Sequence, residues 1–191
     1  MKPYRYAFLA LAIVALVGLA GCSGNKSADT EAEVYLSQNI PQGVADVDVS
    51  GSADVTIPNM TITSHPKSPT VVLSQQADAI LTEWVVTCTR TDGGTVASPQ
   101  WHNFEQVYVP AGGSTSLQNY RIFPSDFFKQ PPLNQLYPEN GNLDKETGKH
   151  NIRQRLHIAM YGKTVAGKSL SLEFDINLNF YYVSPNGVLN P

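Results

Sequence analysis

Cysteine is almost absent. The chain has two, at positions 22 and 88, which permits at most one internal disulfide and excludes the paired cysteines of covalent c-type haem attachment. The longest apolar stretch, Ala7 to Cys22, falls short of the roughly 20 residues needed to span a bilayer. No basic excess exists either, since thirteen Lys and Arg stand against sixteen Asp and Glu. Phosphate binding needs a clustered basic surface, so nucleic acid is not an expected partner. There is no Gly-x-Ser-x-Gly elbow and no His-Glu-x-x-His helix, and His65, His102, His150 and His157 fall at no metal-ligand spacing. The expectation is a non-enzyme with no cofactor and no catalytic residues.

What is present begins at the N-terminus. Lys2 and Arg5 form a positive region, Ala7 to Leu19 an apolar core, and small residues precede Cys22, which is the plan of a secretory signal peptide. The run Leu19-Ala20-Gly21-Cys22 resembles the lipobox of bacterial lipoprotein precursors. That resemblance implies cleavage before Cys22, a thioether from its sulfur to diacylglycerol, and acylation of the new amine by a fatty acid such as palmitate. One fatty chain binds a bilayer only reversibly, at roughly 10⁴ M⁻¹, so two or three make the anchor durable. Ser23 stands where Asp often signals inner-membrane retention in this class, which implies the outer membrane in a diderm host.

Without residues 1–21 the chain keeps 170 residues, enough for one core and too few for two comfortable ones. The leader removes two basic residues and no acidic ones, leaving a net charge near −5. With Cys22 lipidated, Cys88 has no internal partner and reads as a buried, inert thiol. Ser23 to Glu33 is small and polar, a flexible tether of roughly 15 to 20 Å r.m.s. reach.

Beyond the tether the pattern is that of strands. Val47 and Val49, a Ser50-Gly51-Ser52 turn, then Val55 and Ile57 predict a first hairpin. Val55 and Ile57 are odd-numbered while Met60 and Ile62 are even, so the buried face must change at Pro58-Asn59, as in an edge strand that leaves one sheet for the other. Ile80 to Arg90 predicts a strand, with Asp92-Gly93-Gly94 as its turn and a return through Thr95 and Val96. Phe104 to Val109 and Thr115 to Ile122 flank the Pro110-Ala111-Gly112-Gly113 turn. Leu133, Leu136 and Tyr137, after two prolines, predict one helical turn plugging an end. Ile152 to Met160 and Leu170 to Tyr182 alternate without a break, each strand with one dry and one wet face. A symmetric loop between them brings Arg155 near Asp175 and His157 near Glu173.

Three constellations carry chemistry on paper. Gly162 to Ser169 fits the phosphate-loop pattern, yet that chemistry needs a helix at the Lys168-Ser169 end and a regular strand follows instead, so no nucleotide is expected. Glu139, Asn140, Asn142, Asp144 and Glu146 offer alternating oxygens to calcium, but Lys145 and Asn151 stand where the helix-loop-helix calcium pattern requires Gly and Glu. Arg153, Arg155, His157 and Tyr161 share one wet strand face suited to an acidic or sugar ligand. Trp101, Phe104 and Phe127-Phe128 lie near loops, as core plugs or as anchors for a partner.

The expected fold is an all-β antiparallel sandwich over residues 51–183, with a lipidated tether and a possible first strand at 22–50 and a tail at 184–191. In strand count and turn spacing it is similar in outline to immunoglobulin-like or fibronectin-type domains, without the paired cysteines of immunoglobulin domains proper. The expected function is a membrane-anchored module that holds an envelope protein partner. A calcium or carbohydrate binder is the alternative, with a hydrolase behind it.

Overall fold

The computed structural model describes residues 30–184. Cys22, the leader and nearly all of the expected C-terminal tail lie outside these residues. Nine strands form two sheets: β1 (Val34–Asn39), β2 (Val47–Asp48), β3 (Val55–Pro66), β4 (Ala79–Arg90), β5 (Trp101–Asn103), β6 (Val107–Val109), β7 (Ser114–Phe123), β8 (Asn151–Thr164) and β9 (Ser169–Tyr181). The smaller sheet runs β1-β3-β7; the larger runs β2-β9-β8-β4-β5, with β6 also paired to β4. All pairings are antiparallel except β2 with β9.

The inner faces follow from alternation. In β9 the even positions from Leu170 to Phe180 are buried, and in β8 Ile152, Leu156, Ile158 and Met160 meet them in the same core. Trp84 of β4 is fully buried and stacks on Tyr120 of β7, ring centroids 3.9 Å apart, so one aromatic pair joins the two sheets at their centre. The end where β4 and β8 meet the long connection is closed by 3-10 turns at Ser125–Lys129, Leu133–Leu136 and Pro138–Asn140. Phe128, Leu133 and Leu136 are buried there, with Phe128 against Phe123 and Phe180. The expected plug is present, built from three turns rather than one.

The topology is immunoglobulin-like. The chain's first strand is divided between the sheets, β1 pairing with β3 and β2 running parallel to the last strand, β9. A buried Trp on the strand corresponding to β4 is a hallmark of that architecture, and here its usual disulfide partner is replaced by aliphatic and aromatic packing.

Several local expectations are corrected. Val47 and Val49 do not form a hairpin with Val55 and Ile57, because β2 pairs with β9 and its backbone groups are satisfied there, Val49 N–H donating to Tyr181 O at 2.8 Å. The buried face of β3 does change at Pro58-Asn59, yet the strand stays in its sheet. Ile57 pairs with Tyr120 and Asn59 with Gln118, so Pro58 lies opposite Asn119, whose φ is +50°. Both strands turn over together and their register survives. The sheet change belongs to β1 and β2 instead. Thr95 and Val96 are not a return strand; β4 is met by β5, with Val86 opposite Trp101. The turn at 110–113 connects different sheets, β6 pairing with β4 and β7 with β3. The sandwich also begins before Gly51: Ala32 is buried, and Lys67 N–H donates to Glu33 O at 2.9 Å.

Candidate functional site

The outer face of the larger sheet carries the expected stripe. Arg153, Arg155, His157 and Tyr161 alternate outward along β8, beside β9 in a register that sets Arg155 opposite Asn177 and His157 opposite Asp175. The anticipated pairs are made diagonally. His157 Nε2 lies 3.7 Å from Glu173 and Arg155 Nε 4.0 Å from Asp175, while His157 Nδ1 bonds Asp175 at 2.8 Å. Arg155, His157 and Asp175 are half exposed and every pair includes at least one of them, so each contributes only a few tenths of a kcal/mol.

The stripe is not one site. Ala159 between His157 and Tyr161 is buried, and the two ends open onto separate pockets. Arg153 borders a polar hollow of about 330 Å³ with Thr91, Asp92, Lys149 and Asn151. Tyr161 borders a more apolar one of about 350 Å³ with Ile80, Thr82, Lys163 and Thr164, floored by Gly162. Gly162 is required there because a Cβ would stand 2.1 Å from Ile80 O. The residues 162–169 form the β8-β9 hairpin, and Ser169 opens a strand, so the helix that a phosphate loop needs is replaced by sheet.

The oxygen-rich loop serves a protein cation. Arg90, in phase with Trp84, Val86 and Cys88 on the inner face of β4, lies with 1% of its side chain exposed. Its Nε and Nη2 fork onto Asp92 at 2.8 and 2.9 Å, and Nη2 also donates to Asp144 at 2.7 Å. Glu146 lies 3.6 Å from Nη1 and accepts the N–H groups of Thr95 and Val96 at 2.7 and 3.0 Å. Asn140 donates to Asn134 O, Glu139 sits on an exposed turn, and Asn142 O meets His150. The five calcium candidates therefore do not converge. Among the described residues no three His, Cys, Asp or Glu side chains are grouped to hold a metal.

The electrostatics fit this clasp. Burial pushes the Asp92 carboxyl up, but Arg90 and the N–H groups of Arg153 and Gly94 outweigh it and hold it down at about 2. Asp144 is lowered against the same burial by Arg90 and Thr147. Arg90 was recognisable in the sequence as a charge standing on the apolar phase of its strand; its buried partner Asp144, 54 residues away, was not.

Two nucleophiles, Cys88 and Ser37, have contrasting settings. Cys88 is buried, which pushes its thiol up to about 12. Ser37 Oγ lies 2.8 Å from His65 Nε2 on the outer face of the smaller sheet, and no carboxylate holds that ring among the described residues. Of the loop aromatics, Phe128 is core, Phe127 packs edge-on against Phe123, and Trp101 is half-buried beneath Arg121. Phe104 alone of the four is open, 75% exposed between β5 and β6. Comparison with family models, curated proteins and solved structures gave no match to this chain.

Proposed function

We propose that the chain is a lipid-anchored, extracytoplasmic, non-enzymatic module that holds a protein of the cell envelope through the β5–β6 edge of its larger sheet. The observation that carries this reading is Phe104, a phenyl ring 75% exposed between two three-residue edge strands. Neither strand has a second strand partner among the described residues; Tyr108 O of β6 accepts the Thr115 hydroxyl, so the ladder edge offered beside the ring is that of β5. An edge of this kind pairs with an extended segment, and an aromatic burying on the order of 150–250 Å² supplies the anchor. A sandwich with Cys88 buried and, among the described residues, no carboxylate on the Ser37-His65 pair supports binding rather than turnover.

The test is co-purification from detergent extract. Wild type is expected to retain one stoichiometric envelope protein that Phe104→Ser loses and Tyr161→Ala keeps; retention by Phe104→Ser overturns the edge assignment. Cys22→Ala is expected to release a folded protein from membranes, and continued tight association counts against the anchor.

The Tyr161 pocket favours a second reading, a carbohydrate ligand, because an exposed tyrosine beside a glycine floor offers a stacking face to a sugar ring. Saturable binding of envelope glycans, lost in Tyr161→Ala and kept in Phe104→Ser, would establish it.

A further inference from the structure

The two ends of the sandwich differ in chemistry. At one end lie the start of β1, the connection from Pro66 to Asp78, the turn at 110–113 and the β8-β9 hairpin, as the pairings Val34 with Pro66, Ala79 with Val109 and Ala79 with Thr164 require. The opposite end carries the plug and the Arg90 clasp, and is rich in carboxylates from Asp46, Asp48, Asp54, Asp126 and Glu139 as well as the clasp itself.

The first end presents an apolar tip. Val72 is 93% exposed, Val165 48% and Val71 36%. The tip is held in shape, since Val165 N–H donates to Asp78 O and Ala166 N–H to Gln76 O, both at 2.9 Å. Asp78 in turn accepts Ala111 N–H at 2.8 Å and the Tyr108 hydroxyl. The hairpin is thus hydrogen-bonded to the 75–78 turn, and at this end Val72 is open while Val71 and Val165 are partly exposed. Lys67 just after β3, Lys163 near the end of β8 and Lys168 in the β8-β9 hairpin lie at this same end, with Glu31 and Glu33 at the point where the chain enters.

We propose that this valine tip is the membrane-facing end of the molecule and inserts into the headgroup region of the bilayer to which Cys22 is attached. The inference rests on the lipid-anchor reading above and adds to it an orientation and a second contact. Its argument is one of reach. The chain joins the fold at this end, where Lys67 Nζ donates to Thr30 O and Lys67 N–H to Glu33 O. Eight residue steps separate Cys22 from Thr30, so even a fully extended link spans no more than about 28 Å. Strands of 12 to 14 residues put the acidic end about 40–45 Å further on. The end that carries exposed valines and lysines is therefore the one the anchor holds against lipid, and lysines favour phosphate headgroups.

The experiment uses the full chain, matured and extracted in detergent, then returned to vesicles of phosphatidylethanolamine and phosphatidylglycerol. A thioether at Cys22 and the buried Cys88 leave Val72→Cys as the single reactive thiol for a polarity-sensitive fluorophore. Glu139→Cys places the same probe at the opposite end. The expected result is a blue shift and a several-fold loss of iodide quenching for the Val72→Cys probe on vesicles, with the Glu139→Cys probe unchanged. A Val72→Cys probe that stays in water, on protein whose Cys22 is lipidated by mass spectrometry, overturns the proposal and leaves the anchor standing. An unmodified Cys22 removes the anchor reading and the proposal with it. A probe shielded in whole envelopes but not on pure lipid assigns the tip to a protein and also overturns the proposal.

Discussion

Arg90 and Asp144 meet at 2.7 Å with 1% and 0% of their side chains exposed, joining the end of β4 to a loop far along the chain. With Asp92 and Glu146 they tie the 91–98 and 141–149 loops together, and Gln154 strengthens the seam by bonding Ser98 N–H and Ser98 Oγ, both at 2.9 Å. A buried cation held by several acceptors is expensive to disturb one partner at a time.

Asp144→Ala should accordingly destabilise the fold by about 3–5 kcal/mol, because it strands part of a desolvated guanidinium. Arg90→Met, which removes the buried cation but leaves carboxylates behind, should fall in the same range. Urea denaturation followed by tryptophan fluorescence measures both. A loss below about 1 kcal/mol, the range of exposed pairs, would show that solvent reaches the clasp.

The same clasp sets a response to acid. The Asp92 carboxyl is held at about 2 in the fold, below its ordinary value of about 3.9. A depressed carboxyl contributes stability that is complete above the unfolded value and is lost as the pH falls through the folded one. Stability should therefore drop between about pH 4 and pH 2. Asp92→Asn should be less stable at neutral pH and show a flatter profile across that window.

Gly162→Ala should be costly for a reason unrelated to turns. A Cβ there would lie 2.1 Å from Ile80 O and 2.7 Å from Leu81 Cα, both backbone atoms of the neighbouring strand. The β4 bulge between Leu81 and Glu83 has no room to retreat without breaking ladder bonds. A loss of at least about 2 kcal/mol is expected, at the upper part of the range for overpacking, read as a fall in melting temperature.

Trp84→Ala should cost about 3–5 kcal/mol through the cavity it opens between the sheets. Trp84→Phe should cost much less, because Trp84 Nε1 is buried without a hydrogen-bond partner and that substitution removes the donor along with part of the ring. Equal losses for the two would show that a phenyl ring does not keep the packing against Tyr120.

Native Cys88 should resist thiol reagents at neutral pH and react fully in denaturant, since burial pushes its thiol up to about 12. Stoichiometric labelling of the folded protein would show that β4 opens at the clasp end.

Much of this architecture is legible in short stretches of sequence. The unbroken alternation of β9 names its dry face residue by residue, and Pro131, Pro132, Leu133 and Leu136 announce a non-strand plug. The candidate site was legible only in part. The stripe from Arg153 to Tyr161 lies outward as its phase demands, but its division at Ala159 depends on neighbours in β4 and β9. That the Glu139 to Glu146 side chains do not converge, with Asp144 and Glu146 turned to Arg90, was not legible, because oxygen spacing says nothing of what those oxygens face.

The sequence alone determined which residues alternate, where glycine and proline interrupt, and which face of each strand is wet, because these follow from a backbone period of two and from local sterics. Only the tertiary structure decided that β2 joins β9 rather than β3, that Glu146 holds the loop after β4, and that the loops carrying Val71, Val72 and Val165 lie at the end where the chain enters. Those outcomes depend on pairings between distant segments, chosen by the burial and hydrogen bonding of the whole sandwich rather than by any one stretch of it.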